Sequence, residues 1–238
     1  MSVIIEQIAR AEQKASDFDL DADILYRCDK TPAQLSTVKQ QVERKQFLRE
    51  SMGDAGKADA FFERILLVNE LQDVNYLARG LVAARSVARI AIHGLDGSQI
   101  GWGTGFLIGP GVSLTNHHVL PDAPSCKSSK AHFNYELNEA GEQTGPQIFK
   151  SHPHRLFQTS VDLDFTVVAV DEKASNAEVH LSSYAYLPLI EATGKVSDGE
   201  WLTIIQHPNG GLKQLCVREN KLIKRTENEL LYSTDILG

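Results

Sequence analysis

The spacing of apolar and polar positions changes period partway along the chain and divides it in two. From residue 1 to about residue 85, apolar residues recur at intervals of three and four, the spacing that lines one face of a helix. In MSVIIEQIARAEQKA the apolar positions are broken by Glu6, Arg10 and Glu12, which predicts an amphipathic helix and not a secretion signal. Thr31-Pro32 predicts a helix start, a capping hydroxyl followed by proline in the first turn. That helix is expected to run unbroken through QLSTVKQQVERKQFLRESM and to stop at Gly53. Asp54 is placed to cap the next helix, whose apolar set is Phe61, Phe62, Ile65, Leu66 and Val68. A further helix, DVNYLARGLVAARSV, is expected from Asp73.

After Val87 the pattern shortens. ARIAIHG, QIGWGTGFLIG, VSLTN, AHFNYEL, FTVVAV, EWLTII and LKQLCV are brief and rich in β-branched and aromatic residues. Asp-Gly at 96–97, Gly-Pro-Gly at 109–111 and Asn-Gly-Gly at 209–211 punctuate them. Strands with no helical segments between them predict an antiparallel barrel or sandwich. The expected fold is therefore α+β: a helical domain over 1–85, then a mainly antiparallel β domain over 86–238.

Composition narrows the function classes. With 42% hydrophobic and 23% charged residues the 238-residue chain is ordinary for a globular protein and long enough to bury a core. A formal net charge of −7 argues against nucleic acid as a partner, which would call for a basic face. The longest apolar stretch falls short of a membrane span, so no membrane partner is expected. Cys28, Cys126 and Cys216 are odd in number, far apart and without metal-ligand spacing, which predicts a reducing, cytoplasmic setting. DFDLDAD at 17–23 lacks the central glycine and terminal glutamate of a calcium loop and is expected to be a solvated linker.

The chemistry sits in FLIGPGVSLTNHHVL, a strand, a tight turn, a second strand and then two adjacent histidines, His117 and His118. A general base must be fixed where solvent and substrate reach it, and the end of a barrel strand provides such a point. It also needs a carboxylate on its other ring nitrogen to fix the tautomer. VDLDFTVVAV supplies a candidate: Asp164 stands immediately before an apolar strand. Metal binding by His117 with His118, or by His152-Pro-His154, is disfavoured because no acidic or cysteine partner completes a tetrahedral set. GWGTG at 101–105 lacks the lysine and helix of a phosphate loop, and its glycines are expected to permit a bend. His207 is expected in a loop near a substrate cleft, and Arg89-Ile90 at a plain strand start.

"GTGFLIG…LTNHHV" followed by "DLDFTVVAV" resembles the trypsin-like serine peptidases, in particular the bacterial branch related to glutamyl endopeptidases and high-temperature-requirement proteases. Those read Thr-Asn-x-His-Val at the base. The resemblance covers about residues 86–238 and implies a double β-barrel. In it His118 is the general base, Asp164 the orienting aspartate (Asp162 the weaker alternative), and His117 a neighbour at a variable position. "IIQHPNG…KQLCVREN" resembles the family's second-barrel strand and turn, and "YSTDILG" the approach to the nucleophile.

The resemblance places the serine in a Gly-x-Ser-Gly loop within about five residues past Gly238. This stretch alone is therefore expected to be inactive, with its second barrel partial. A C-terminal fragment or second chain is the expected partner that completes that barrel. The implied activity is hydrolysis of protein or peptide substrates without a cofactor, with a regulatory protein as a possible partner of residues 1–85. The competing expectation is a non-catalytic protease-fold scaffold or sensor.

Overall fold

A computed structural model describes residues 26–27, 30–67, 73–217, 220–226 and 228–232. The expected helix in MSVIIEQIARAEQKA, the DFDLDAD linker, Cys28, Val68 and the YSTDILG segment past Tyr232 lie outside these residues. Among the described helices none is long and apolar enough to cross a membrane.

Where one helix is expected from Pro32 to Met52 there are two, α1 (Pro32–Leu35) and α2 (Val38–Met52). The break at Ser36 and Thr37 has a local cause. Thr37 begins its own capping box: its hydroxyl accepts the Gln40 backbone N–H at 3.2 Å, and the Gln40 side-chain oxygen accepts the Thr37 N–H at 2.8 Å. Gly53, at φ +66°, closes α2 in the left-handed conformation. Asp54 then caps α3 (Ala55–Leu66) through the Lys57 N–H, as its sequence predicts. Helix α4 spans Asn75–Ser86.

The chain packs as two compact units that do not follow a boundary at 85/86. The first gathers the described residues of Met1–Leu71 with those of Ile190–Thr203 and Val217–Asp235. Its apolar centre is Leu48, Ala58 and Phe62. Arg44, buried midway along α2, makes a two-pronged bond to Glu200, each contact 2.8 Å, and its remaining nitrogen donates to the Gly194 and Lys195 carbonyls. Gly194 (φ +73°) lies so close beneath α2 that a Cβ would stand 2.1 Å from the Glu43 carbonyl oxygen. The same unit holds the ladder of β10 (Leu222–Arg225) and β11 (Leu230–Tyr232).

The second unit, the described residues of Gln72–Leu189 and Ile204–Cys216, contains a seven-stranded antiparallel sheet. Its strands are β1 (Val87–His93), β2 (Gln99–Gly109), β3 (Val112–Thr115), β4 (Lys130–Phe133), β5 (Gln147–Lys150), β6 (Phe157–Ser160) and β7 (Phe165–Ala169). Their spatial order is β5-β4-β1-β2-β3-β7-β6. A bridge from Ser151 to Val170, and a bond from the Asp171 N–H to the Lys150 carbonyl at 2.9 Å, bring the β5 end back to the end of β7. The sheet thus curls on itself around a core that includes Ile90, Leu107, Phe133, Phe149, Val168 and Tyr184. The rings of Phe133, Phe149 and Tyr184 meet with centroids 4.7–5.9 Å apart, within the range of attractive edge-on and tilted pairing. A short helix α5 (Ala123–Ser128), capped by Asp122, buries Cys126 in the same core. β8 (Ile204–Gln206) and β9 (Gln214–Cys216) form a separate two-stranded ladder. Beyond residue 196 the described residues therefore hold two such ladders, four short strands in all.

Candidate active site

The register of two strands places the site. Thr115, the last residue of β3, pairs with Thr166 of β7 in antiparallel sense. The residues that follow Thr115 consequently run alongside those that precede Thr166, and a sequence separation of 46 residues closes to hydrogen-bond distance. Past Thr115, residues 116–120 make one tight turn in which the Val119 and Leu120 N–H groups both donate to the Asn116 carbonyl at 3.2 Å. Val119 and Leu120, 4% and 1% exposed, plug the turn into the core. Gly103 of β2 makes room for this: a Cβ there would lie 2.5 Å from Val119 Cγ1. The glycines expected to permit a bend serve close packing here. With Val119 and Leu120 anchored, His118 is left at the surface.

His118 and Asp164 meet. The ring Nδ1 lies 2.8 Å from Asp164 Oδ2 and 3.1 Å from Oδ1, and the His118 backbone N–H donates to Oδ1 at 3.1 Å. Asn116 Nδ2 donates at 3.2 Å to both Asp164 Oδ2 and the Asp164 carbonyl. Asp164 ends the β6–β7 hairpin turn at φ +47°, a left-handed conformation that aspartate tolerates better than most side chains. An ionised carboxylate only accepts hydrogen bonds, so the proton of the His118 ring sits on Nδ1, and among the described residues nothing bonds the Nε2 lone pair. The side chains are 36% and 45% exposed, within reach of a substrate. Asp162, the weaker alternative, is exposed and makes no contact with this ring among the described residues. His117 is not a loose neighbour: its Nδ1 lies 2.8 Å from Thr159 Oγ1. Asn116 and Thr159 are contributions that sequence reasoning missed. Asn116 lies within the Thr-Asn-x-His-Val pattern, whereas nothing in FQTS marks Thr159.

The other histidines fall elsewhere. His207, expected beside a cleft, is 4% exposed and faces inward. Its Nδ1 lies 2.9 Å from the Gly211 carbonyl, and burial depresses its pKa to about 4. Beside it the Arg89 guanidinium lies over the rings of Tyr135 and Trp102, 3.6 and 4.0 Å from their centroids, and donates to the Gly210 carbonyl at 2.7 Å. Arg89 also lies 3.0 Å from His132 Nδ1, and burial together with that cation holds His132 near pKa 4. Arg89 is thus a buried strand residue. His152 Nε2 pairs with Asp171, and His154 meets His152 edge-on. No three His, Cys, Asp or Glu side chains among the described residues gather as a metal would require.

The model of the trypsin-like peptidase domain family matches residues 103–236. The chain belongs to that family. It is 37% identical over 199 residues to the uncharacterised protein y4fB of Sinorhizobium fredii (strain NBRC 101917 / NGR234). The match takes in 80% of this chain but only 30% of that protein. Among solved structures the Rv3671c protease of M. tuberculosis in its active form aligns at TM-score 0.40 with 19% identity, over 60% of this chain and 52% of that one. A serine endoprotease from Yersinia pestis aligns at TM-score 0.39 with 18% identity, over 67% and 48%.

Proposed function

We propose that this chain carries the base and orienting carboxylate of a serine endopeptidase that hydrolyses peptide bonds in protein substrates. The observation that supports it best is the His118–Asp164 pair, held by two contacts to the ring and one to the His118 backbone, with Nε2 unbonded among the described residues. In this reading Nε2 takes the proton of an attacking serine hydroxyl and later returns it to the leaving amine. Asp164 holds the ring in the productive tautomer and stabilises the imidazolium that forms. In the family's order of base, orienter and nucleophile, the serine is assigned to the chain beyond residue 238, in a longer protein of the kind the Sinorhizobium relative exemplifies. Residues 1–85 are assigned a regulatory role in an effector protease.

A fluorophosphonate probe on the full-length protein tests this. It is expected to label one serine covalently, with labelling lost in His118→Ala. Equal labelling of that variant, or none of the wild type, contradicts the proposal.

A further inference from the structure

The turn that carries His118 is tied down on both sides. Thr166 of β7, fully buried, lies with its hydroxyl 2.8 Å from the Leu120 carbonyl oxygen, which only accepts, so the Thr166 hydrogen points there. Thr159 of β6 lies 2.7 Å from the Thr166 hydroxyl oxygen and 2.9 Å from the Phe165 carbonyl. Either contact uses the single hydrogen Thr159 has. None remains for His117, so the bond of 2.8 Å between them is donated by the His117 ring from Nδ1. The resulting relay runs from His117 through Thr159 and Thr166 to Leu120. It grips the turn one residue before His118 and two after it. Its two hydroxyls belong to the strands that flank Asp164.

We infer that His117 is a positioning residue: through Thr159 and Thr166 it fixes the turn so that the His118 ring stays on Asp164. Its catalytic relevance rests on the peptidase reading above, but the geometry does not. The two adjacent histidines of the turn then divide the work, one ring turned to the strands and the other to substrate.

The test reads the tautomer of each histidine from its ring ¹⁵N shifts at alkaline pH, where the rings are neutral. An isolated imidazole in water favours hydrogen on Nε2, so hydrogen on Nδ1 reports a held ring. Both His117 and His118 are expected as Nδ1–H in the wild-type chain. Asp164→Asn, which reverses the demand on the ring, is expected to abolish the Nδ1–H form of His118 and calibrates the readout. His117→Ala and Thr159→Val are each expected to lose a large part of the Nδ1–H form of His118. His117→Asn, whose amide nitrogen stands where Nδ1 stood, is expected to keep it.

In the full-length peptidase the first two variants are expected to lower kcat roughly tenfold to a hundredfold with KM little changed, as a small misplacement of the base does. Loss of the His118 tautomer in a protein without peptidase activity upholds the positioning role and sinks the peptidase reading instead. An unaltered His118 tautomer in both His117→Ala and Thr159→Val overturns the inference, whatever their melting temperatures. So does a His117 ring found as Nε2–H.

Discussion

At the scale of single residues, the site depends on where protons are accepted and where none can be. Asp164 takes bonds from His118 and Asn116, and the exposed Asn116 contact is long and in water. Asn116→Ala is therefore expected to lower kcat/KM by no more than about tenfold, the loss of roughly 1 kcal/mol that an exposed hydrogen bond supports. Steady-state peptide hydrolysis checks it, and a hundredfold loss would mean that the amide acts in the chemistry itself. Cys126 illustrates the opposite environment. Its thiol is fully buried, and burial pushes its pKa up to about 12 despite a hydrogen bond to Ser151. It is expected to resist iodoacetamide in the native chain and react on denaturation, as mass spectrometry of the labelled protein would show; equal native reactivity would refute the burial. His118 and Asp164 were legible in the sequence because motif and order mark them. The roles of Thr159 and Thr166 were not, since a threonine in a strand looks alike whether its hydroxyl faces a partner or water.

At the scale of elements, local signals located the helix caps and tertiary packing decided the rest. Gly53 and Asp54 behave as their types predict, and the break at Thr37 was itself written in the sequence: TVKQ repeats the Ser/Thr-x-x-Gln pattern that Thr31 and Gln34 already use. Reading the apolar period alone passes over it. β5 (QIFK) and β6 (FQTS), no shorter than β3, were not among the expected strands. The inward turn of His207 was hidden because its burial depends on Arg89, Tyr135 and Trp102, which come from distant parts of the chain. The buried Arg44–Glu200 pair joins α2 to a segment more than 150 residues away. Removing one partner strands a buried charge, so Arg44→Ala is expected to destabilise the protein by about 3–5 kcal/mol in urea unfolding. A change below about 1 kcal/mol would show that the pair is solvated.

At the scale of the whole molecule, two compact units share one chain, and α1–α3 pack with residues 190–203 and 217–232, which the family match assigns to the peptidase. A boundary drawn from periodicity alone could not anticipate this, because period reports local structure and not which segments bury one another. Acid stability follows from the buried imidazoles. His132 and His207, each held near pKa 4 against an ordinary 6.5, stay neutral in the fold beside Arg89, with Lys130, His93, Lys213 and Glu136 near them. The unfolded chain takes up these protons below about 6.5 and the native chain does not until about 4, so stability is full above 6.5 and drains as pH falls to 4. The loss is on the order of 3 kcal/mol for each. Urea midpoints across that window should fall, and fall less in His207→Gln; a wild-type midpoint constant over the window would contradict this burial. For the account as a whole, the decisive measurement is peptide hydrolysis by the full-length protein against its Asp164→Asn variant. The account predicts kcat lower by roughly 10³–10⁴ with KM little altered, since the ring would then be held in the wrong tautomer. Hydrolysis by the variant at the wild-type rate would contradict it.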